Sequence, residues 1–216
     1  MALQCAWHAL QSPPTVSVEP LPPAPALSVL EVSSLGERQV LARLLMLWLQ
    51  SFDYQPGISI PLRELDYARL ADWLRVILTL DPSSHYPLLA ASRFYAEVPD
   101  PARSRRMLSF VYESFLQAPN ERWQWLAHAV FVARHRLHDL DLALDYARVL
   151  AERTDPARVP AWARQMRIFV LEDVGELEAA KVVLGGLIDS GEVKDPAELG
   201  FLRGRLEEME RRIGAR

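Results

Sequence analysis

Four prolines return along this chain at nearly constant spacing, and each closes a similar stretch. Pro82 follows LTLD, Pro119 follows LQA, Pro156 follows ERTD and Pro196 follows EVKD, at intervals of 37, 37 and 40 residues. Proline removes a backbone donor and disfavours helix in the residue before it, so each of the four marks a boundary between elements. Every interval holds two stretches of helical periodicity. A chain built this way is constrained to an array of helix pairs, each burying its apolar face against the next.

The periodicity of the individual segments agrees. Ser34 to Glu37 reads as a capping box, and Val40, Leu41, Leu44, Leu45, Trp48, Leu49 and Phe52 then recur on one helical face. Gln55-Pro56-Gly57 stops this helix. A second helix is predicted from about Pro61 to Leu80, with Tyr67, Leu70, Trp73, Leu74 and Ile77 inward. Three pairs follow: 85–97 with 101–117, 121–137 with 140–153, and 160–174 with 176–190. Asp100-Pro101 and Asp195-Pro196 are helix starts with a capping carboxylate before proline at the first helical position, and Asn120 is a further candidate cap. Gly175 stands where a residue of positive φ is wanted. The last helix runs from Pro196 to about Ile213. Leu199, Leu202, Leu206, Met209 and Ile213 form a seam along it that either caps the array or joins two copies, capping being preferred over a dimer. No window reads as a strand, so the expected fold is all-α.

Residues 1–34 differ from the rest. They carry six of the 16 prolines, no glycine and two acidic residues, the composition of an extended spacer without its own core. The expected domains are therefore a disordered proline-rich tail or linker over 1–34 and a helical repeat domain over 35–216. The apolar opening MALQCAWHALQ lacks a basic region and is too short for a signal peptide. It fits the end of an upstream membrane anchor that precedes this chain, or a plain tail. The longest apolar run, around Leu44 to Leu49, is far below the roughly 20 residues that span a bilayer.

Net charge −4 argues against reliance on a phosphate backbone for affinity, and one cysteine excludes an internal disulfide framework and a thiolate metal site. The one basic concentration, Arg103, Arg105 and Arg106 with Arg93 and Arg122, reads as a solvated face or as partners for acids on the next pair, not as a nucleic-acid surface. His128 and His135 lie two turns apart, about 10 Å, too far for one metal. Glu172, Asp173, Glu176 and Glu178 cluster about a helix start, where the macrodipole favours acids. There is no phosphate loop, nucleophile elbow or H-E-x-x-H motif. No catalytic residue, metal or cofactor is assigned.

The segments GELEAA at Gly175 to Ala180, after Trp162-Ala-Arg-Gln, and HDLDLA at His138 to Ala143 carry a family resemblance. They resemble the turn and second helix of a tetratricopeptide repeat, which places a small residue at the turn and alanine five residues later. Pro119 and Pro156 match the repeat's terminal proline. The likeness covers about residues 82–192, with a period of 37 where that family has 34. It implies a right-handed solenoid of antiparallel pairs whose first helices line a concave groove. Carried over residue by residue, the groove positions are Trp125, His128, Val132 and His135, then Trp162, Gln165, Phe169 and Glu172, with Tyr95 for the first pair. Of these aromatics, Trp125 and Trp162 are otherwise read as core, together with Trp123 and Phe131.

The leading half, SLGERQVLARLLMLWLQSFD then LDYARLADWLRVILTLDP, is similar to the opening of certain bacterial helical-repeat proteins that often carry a membrane anchor and a proline-rich spacer. The expected function is a non-enzymatic scaffold or adaptor that holds a peptide or partner helix. The alternatives are a structural subunit of a larger assembly, or an enzyme using the histidines and acids near 128–139 and 172–178. The compartment defaults to the cytoplasm, with a periplasmic, membrane-anchored domain as the alternative.

Overall fold

The computed structural model describes residues 20–52, 54–55, 58–59, 64–191 and 193–215 of the 216-residue chain. It holds ten α-helices among the described residues: α1 (Leu27–Ser33), α2 (Arg38–Gln50), α3 (Tyr67–Leu80), α4 (Tyr86–Arg93), α5 (Pro101–Gln117), α6 (Pro119–His135), α7 (Leu140–Arg153), α8 (Ala161–Val174), α9 (Leu177–Asp189) and α10 (Pro196–Gly214). From α2 onward consecutive helices pack on one another, and α4 also meets α6 as α6 meets α8. The fold is all-α. None of the described helices is long and apolar enough to cross a membrane.

Local chemistry sets most helix ends. Asp66, Asp100 and Asp195 each accept a hydrogen bond from backbone N–H groups in the first turn of α3, α5 and α10, satisfying donors that have no partner inside the helix. Pro101 and Pro196 occupy the first helical position, where the missing N–H costs nothing. Gly175 ends α8 at φ 89°, and His138 adopts φ 51° in the equivalent turn before α7.

Other ends differ from the sequence reading. The Ser34–Glu37 capping box is not formed: Ser34 terminates α1, its hydroxyl donating to the Glu31 carbonyl, and Glu37 begins α2 without a side-chain cap. Asn120 lies inside α6, which begins at Pro119, and its Oδ1 accepts from the Asp155 N–H on the far side of a boundary. The helix expected from Pro61 begins at Tyr67, because Asp66 supplies the cap; residues 61–63 lie outside the described residues. The helix expected over 85–97 breaks at Phe94 into α4 and one 3₁₀ turn, Tyr95–Glu97. The long α2–α3 connection, with no helix to satisfy its backbone, forms a two-residue antiparallel ladder, β1 (Tyr54–Gln55) on β2 (Ile58–Ser59), where no strand was expected.

The proline-rich segment is described only from Pro20; the apolar opening and Cys5 lie outside the described residues. Over 20–34 the chain is held against the helices. Leu21 is buried, Trp73 Nε1 donates to the Pro22 carbonyl at 2.8 Å, and Arg69 donates to the Leu21 carbonyl at 2.6 Å. Proline-rich backbone has spare carbonyls, and two long donors of α3 use them. The packed body thus begins near Leu21, ahead of the boundary expected at residue 35.

A large apolar core runs from α1 to α8, with Phe110, Phe115, Leu126 and Leu150 sealed inside it. Leu144 joins it to a second cluster in which Leu202 and Met209 of α10 pack with Ile168, Leu171 and Leu184. Arg122 is buried at one boundary, donating to the carbonyls of Ser114 and Pro82 and to Gln117. Ser114 lies at the C-terminal end of α5 and Pro82 just beyond α3, so the cation sits where helix dipoles are negative. Burial pushes its pKa down from the ordinary arginine value.

Polar and aromatic contacts between helices recur at a similar separation. Arg75 meets Glu113, 38 residues on, and Arg105 meets Asp139, 34 on. Glu97 meets Arg136 and Arg134 meets Asp173, both 39 apart, and Gln165 meets Glu198 and Arg205 meets Glu172, both 33 apart.

Candidate functional site

Helix α6 buries Leu126, Ala129, Val130, Val132 and Ala133 and turns Gln124, Phe131 and His135 outward, with His128 half-buried in the same row. Those four follow a 4,3,4 spacing, which places them on one face. His128 and Phe131 stack with centroids 5.9 Å apart and planes at 20°, and Phe131 meets His135 at 4.7 Å. Trp125 stands beside this stripe against His85, its Nε1 donating to His85 Nδ1 at 3.4 Å, with Gln124 Nε2 at the same distance from that nitrogen. On the other flank Trp123 and Trp162 meet edge to face, centroids 5.4 Å apart. Phe131 is 47% exposed and Trp162 53%. Aromatic surface that the fold could have buried is instead presented to solvent.

His128 is the most constrained member. Its Nε2 is sealed from solvent and 3.4 Å from Glu97 Oε1, within ion-pair distance but out of hydrogen-bond alignment. Burial, helped by the nearby Arg93 charge, holds its pKa below the usual imidazole value; Glu97 and the Ser92 backbone pull the other way without prevailing. The ring is therefore neutral near pH 7. Glu97 also accepts from Arg136, which anchors the carboxylate.

The nine expected groove residues divide in two. Trp125, His128 and His135 of α6 and Trp162 and Phe169 of α8 are exposed or half-buried. Tyr95 is in the core, edge-on to Tyr67. Gln165 and Glu172 are buried beneath α10, Gln165 donating to Glu198 at 2.7 Å and Glu172 accepting from Arg205 and Arg212. Those three are interior struts and present nothing to a partner. The final helix covers the part of α8 where Gln165 and Glu172 lie. Val132 is sealed and Phe131 takes its outward place, one position along. Phe131, read as core, and Trp162, read both as core and as a groove position, are the most exposed aromatics of this face. His85 was missed; its only trace in the sequence is its place 40 residues before Trp125.

Two of the four acids near the α8 turn are already paired, Glu172 with two arginines and Asp173 with Arg134 at 2.5 Å. Asp139 caps α7 and accepts from Arg105; the cap bond to Leu142 N–H, more than the arginine, keeps its pKa below the carboxylate range. Among the described residues no three His, Cys, Asp or Glu side chains converge as a metal site. Comparison with known protein families, curated proteins and solved structures finds no match to this chain.

Proposed function

We propose that the chain is a tetratricopeptide-like helical repeat acting as a non-enzymatic adaptor, binding a peptide or partner helix across the outward faces of α6 and α8. The exposed rings of Trp162, Phe131 and His135, with half-buried Trp123 against Trp162, carry the reading. Aromatics of this kind are common interface anchors, because they bury large area with few rotatable bonds. Contact order supports the solenoid. Trp123 and Arg134 of α6 meet Trp162 and Asp173 of α8, and Gln165 and Glu172 of α8 meet Glu198 and Arg205 of α10. Both pairs of contacts advance in the same direction along the two helices, as first helices of successive pairs do. The α10 helix then stands where a further first helix would, and closes the array.

Arg93, exposed and without a carboxylate partner among the described residues, lies near His128, so the guest segment carries an acidic side chain beside its apolar anchors. Affinity capture with purified full chain, comparing wild type with Phe131→Ala/Trp162→Ala, tests the adaptor. A partner held by wild type and lost by the folded double variant supports it. A partner list unchanged by the double variant removes the site from this face.

A structural-subunit reading is favoured by one observation. Val40, Leu44 and Leu47 make an exposed apolar stripe on α2, beside exposed Val29, Val32 and Leu35. Light scattering of wild type and Leu44→Glu distinguishes it: assembly through this stripe makes the wild type larger than the variant.

A further inference from the structure

The helices α7, α8 and α9 enclose an open cavity of about 260 Å³ that shares no residue with the α6 face. Its floor is apolar, formed by Ile168, Val183 and Leu187. Arg167 lines its wall with its Nε sealed from solvent and without a hydrogen-bond partner, and among the described residues no carboxylate is within ion-pair distance of its guanidinium. Burying part of a cation without a partner is costly, and most arginines of this protein that approach a neighbouring helix are paired. Arg164 stands beside it on the wall and Glu152 faces them from α7.

A second observation comes from the glycine pair Gly185-Gly186 in the middle of α9. Glycine weakens a helix, and here it is not required by close packing: a Cβ built on Gly186 meets nothing within 4 Å. Gly186 lines the cavity, so the absent side chain is what leaves the space open.

We infer that this cavity is a binding site for an aliphatic carboxylate, the carboxylate paired with Arg167 and the chain lying on Ile168, Val183 and Leu187. A guanidinium offers the parallel donors that a carboxylate accepts. Arg167 offers one cation without a carboxylate at ion-pair distance among the described residues, which suits a monoanion better than a phosphate dianion. The apolar floor excludes a fully hydrated ion as the whole ligand. The carboxylate belongs either to a free short-chain acid or to the C-terminal end of a peptide with an aliphatic last residue.

Calorimetric titration of the full chain tests this with hexanoate, hexanamide, and a short peptide ending in leucine with a free or an amidated terminus. Wild type is expected to bind the charged member of each pair at least about tenfold more tightly than the neutral one. Arg167→Gln is expected to abolish that preference, Arg167→Lys to retain part of it, and Gly186→Leu, which fills the cavity from a helical position, to block both ligands. The peptide binding more tightly than hexanoate identifies a chain end; the reverse identifies a free acid. Thermal unfolding of each variant shows that the fold is kept. Equal binding of hexanoate and hexanamide, binding unchanged in Arg167→Gln or Gly186→Leu, or no saturation by either carboxylate overturns the inference.

Discussion

Glu172, buried on α8, accepts two hydrogen bonds from the Arg205 guanidinium of α10, at 3.0 and 2.5 Å. Arg212 approaches the same carboxylate at 3.5 Å, so one acid ties the final helix to α8 at two points about two turns apart. Glu172→Gln keeps the shape and removes the charge. It is expected to destabilise the protein by about 2 kcal/mol, less than breaking a fully buried pair because Arg205 is partly solvated. Hydrogen exchange should rise first in α10. Arg203→Gln, at an exposed position of the same helix, should change stability by less than about 0.5 kcal/mol in urea titrations.

The His128 ring provides a pH signature. Its folded pKa lies below the ordinary 6.5, so the unfolded chain takes up the proton first as pH falls. Stability from this residue is complete above about pH 6.5, is lost below it, and stops falling once pH passes the folded pKa; each unit of difference is worth about 1.4 kcal/mol. Glu97 and Arg93 are the charged groups that face the ring. Unfolding midpoints measured from pH 8 to pH 5 should fall more steeply in wild type than in His128→Phe. Parallel slopes would show that His128 is not the titrating group.

Two turns offer a reciprocal test. His138 holds φ 51° without the freedom of glycine, whereas Gly175 holds φ 89° with it. His138→Gly should stabilise by up to about 1 kcal/mol, and Gly175→Ala should destabilise by about the same amount. Nothing lies within 4 Å of a Cβ at Gly175, so strain and not crowding accounts for its loss. Urea midpoints moving in opposite directions are the expected result.

The Trp73 indole holds the proline-rich segment by one hydrogen bond to Pro22. Trp73→Phe keeps most of the packing and should cost about 1 kcal/mol. Proteolysis between residues 20 and 34 should accelerate more than cleavage elsewhere. Uniform acceleration would mean a general loss of stability.

Much of the fold was legible in the chain because helices announce themselves locally. Asp100-Pro101 and Asp195-Pro196 begin helices as their chemistry dictates, and the spans ending at Gln117 and Val174 follow from periodicity alone. Ser34 and Asn120 misled for a physical reason. A short polar side chain satisfies whichever backbone group comes nearest, and here those groups were a carbonyl one turn back and an N–H across a boundary. The candidate site was harder to read. Phe131 and Val132 are both apolar and adjacent, and the period of one helix does not say which of them a neighbour covers.

The sequence by itself determined nine of the ten described helices, where most of them start and stop, and that prolines fall at their boundaries; the helix Leu27–Ser33 lies in the segment read as a tail. Those properties follow from capping, proline geometry and apolar spacing within a single segment. Tertiary structure alone decided that Tyr95, Gln165 and Glu172 turn inward, that Arg122 is buried between helix ends, and that Phe131 and Trp162 face solvent. It also decided that Arg167 and Gly186 meet at one cavity. Burial depends on contacts between residues some 33 to 40 positions apart, and periodicity within one helix carries no information about the partner that arrives from the next.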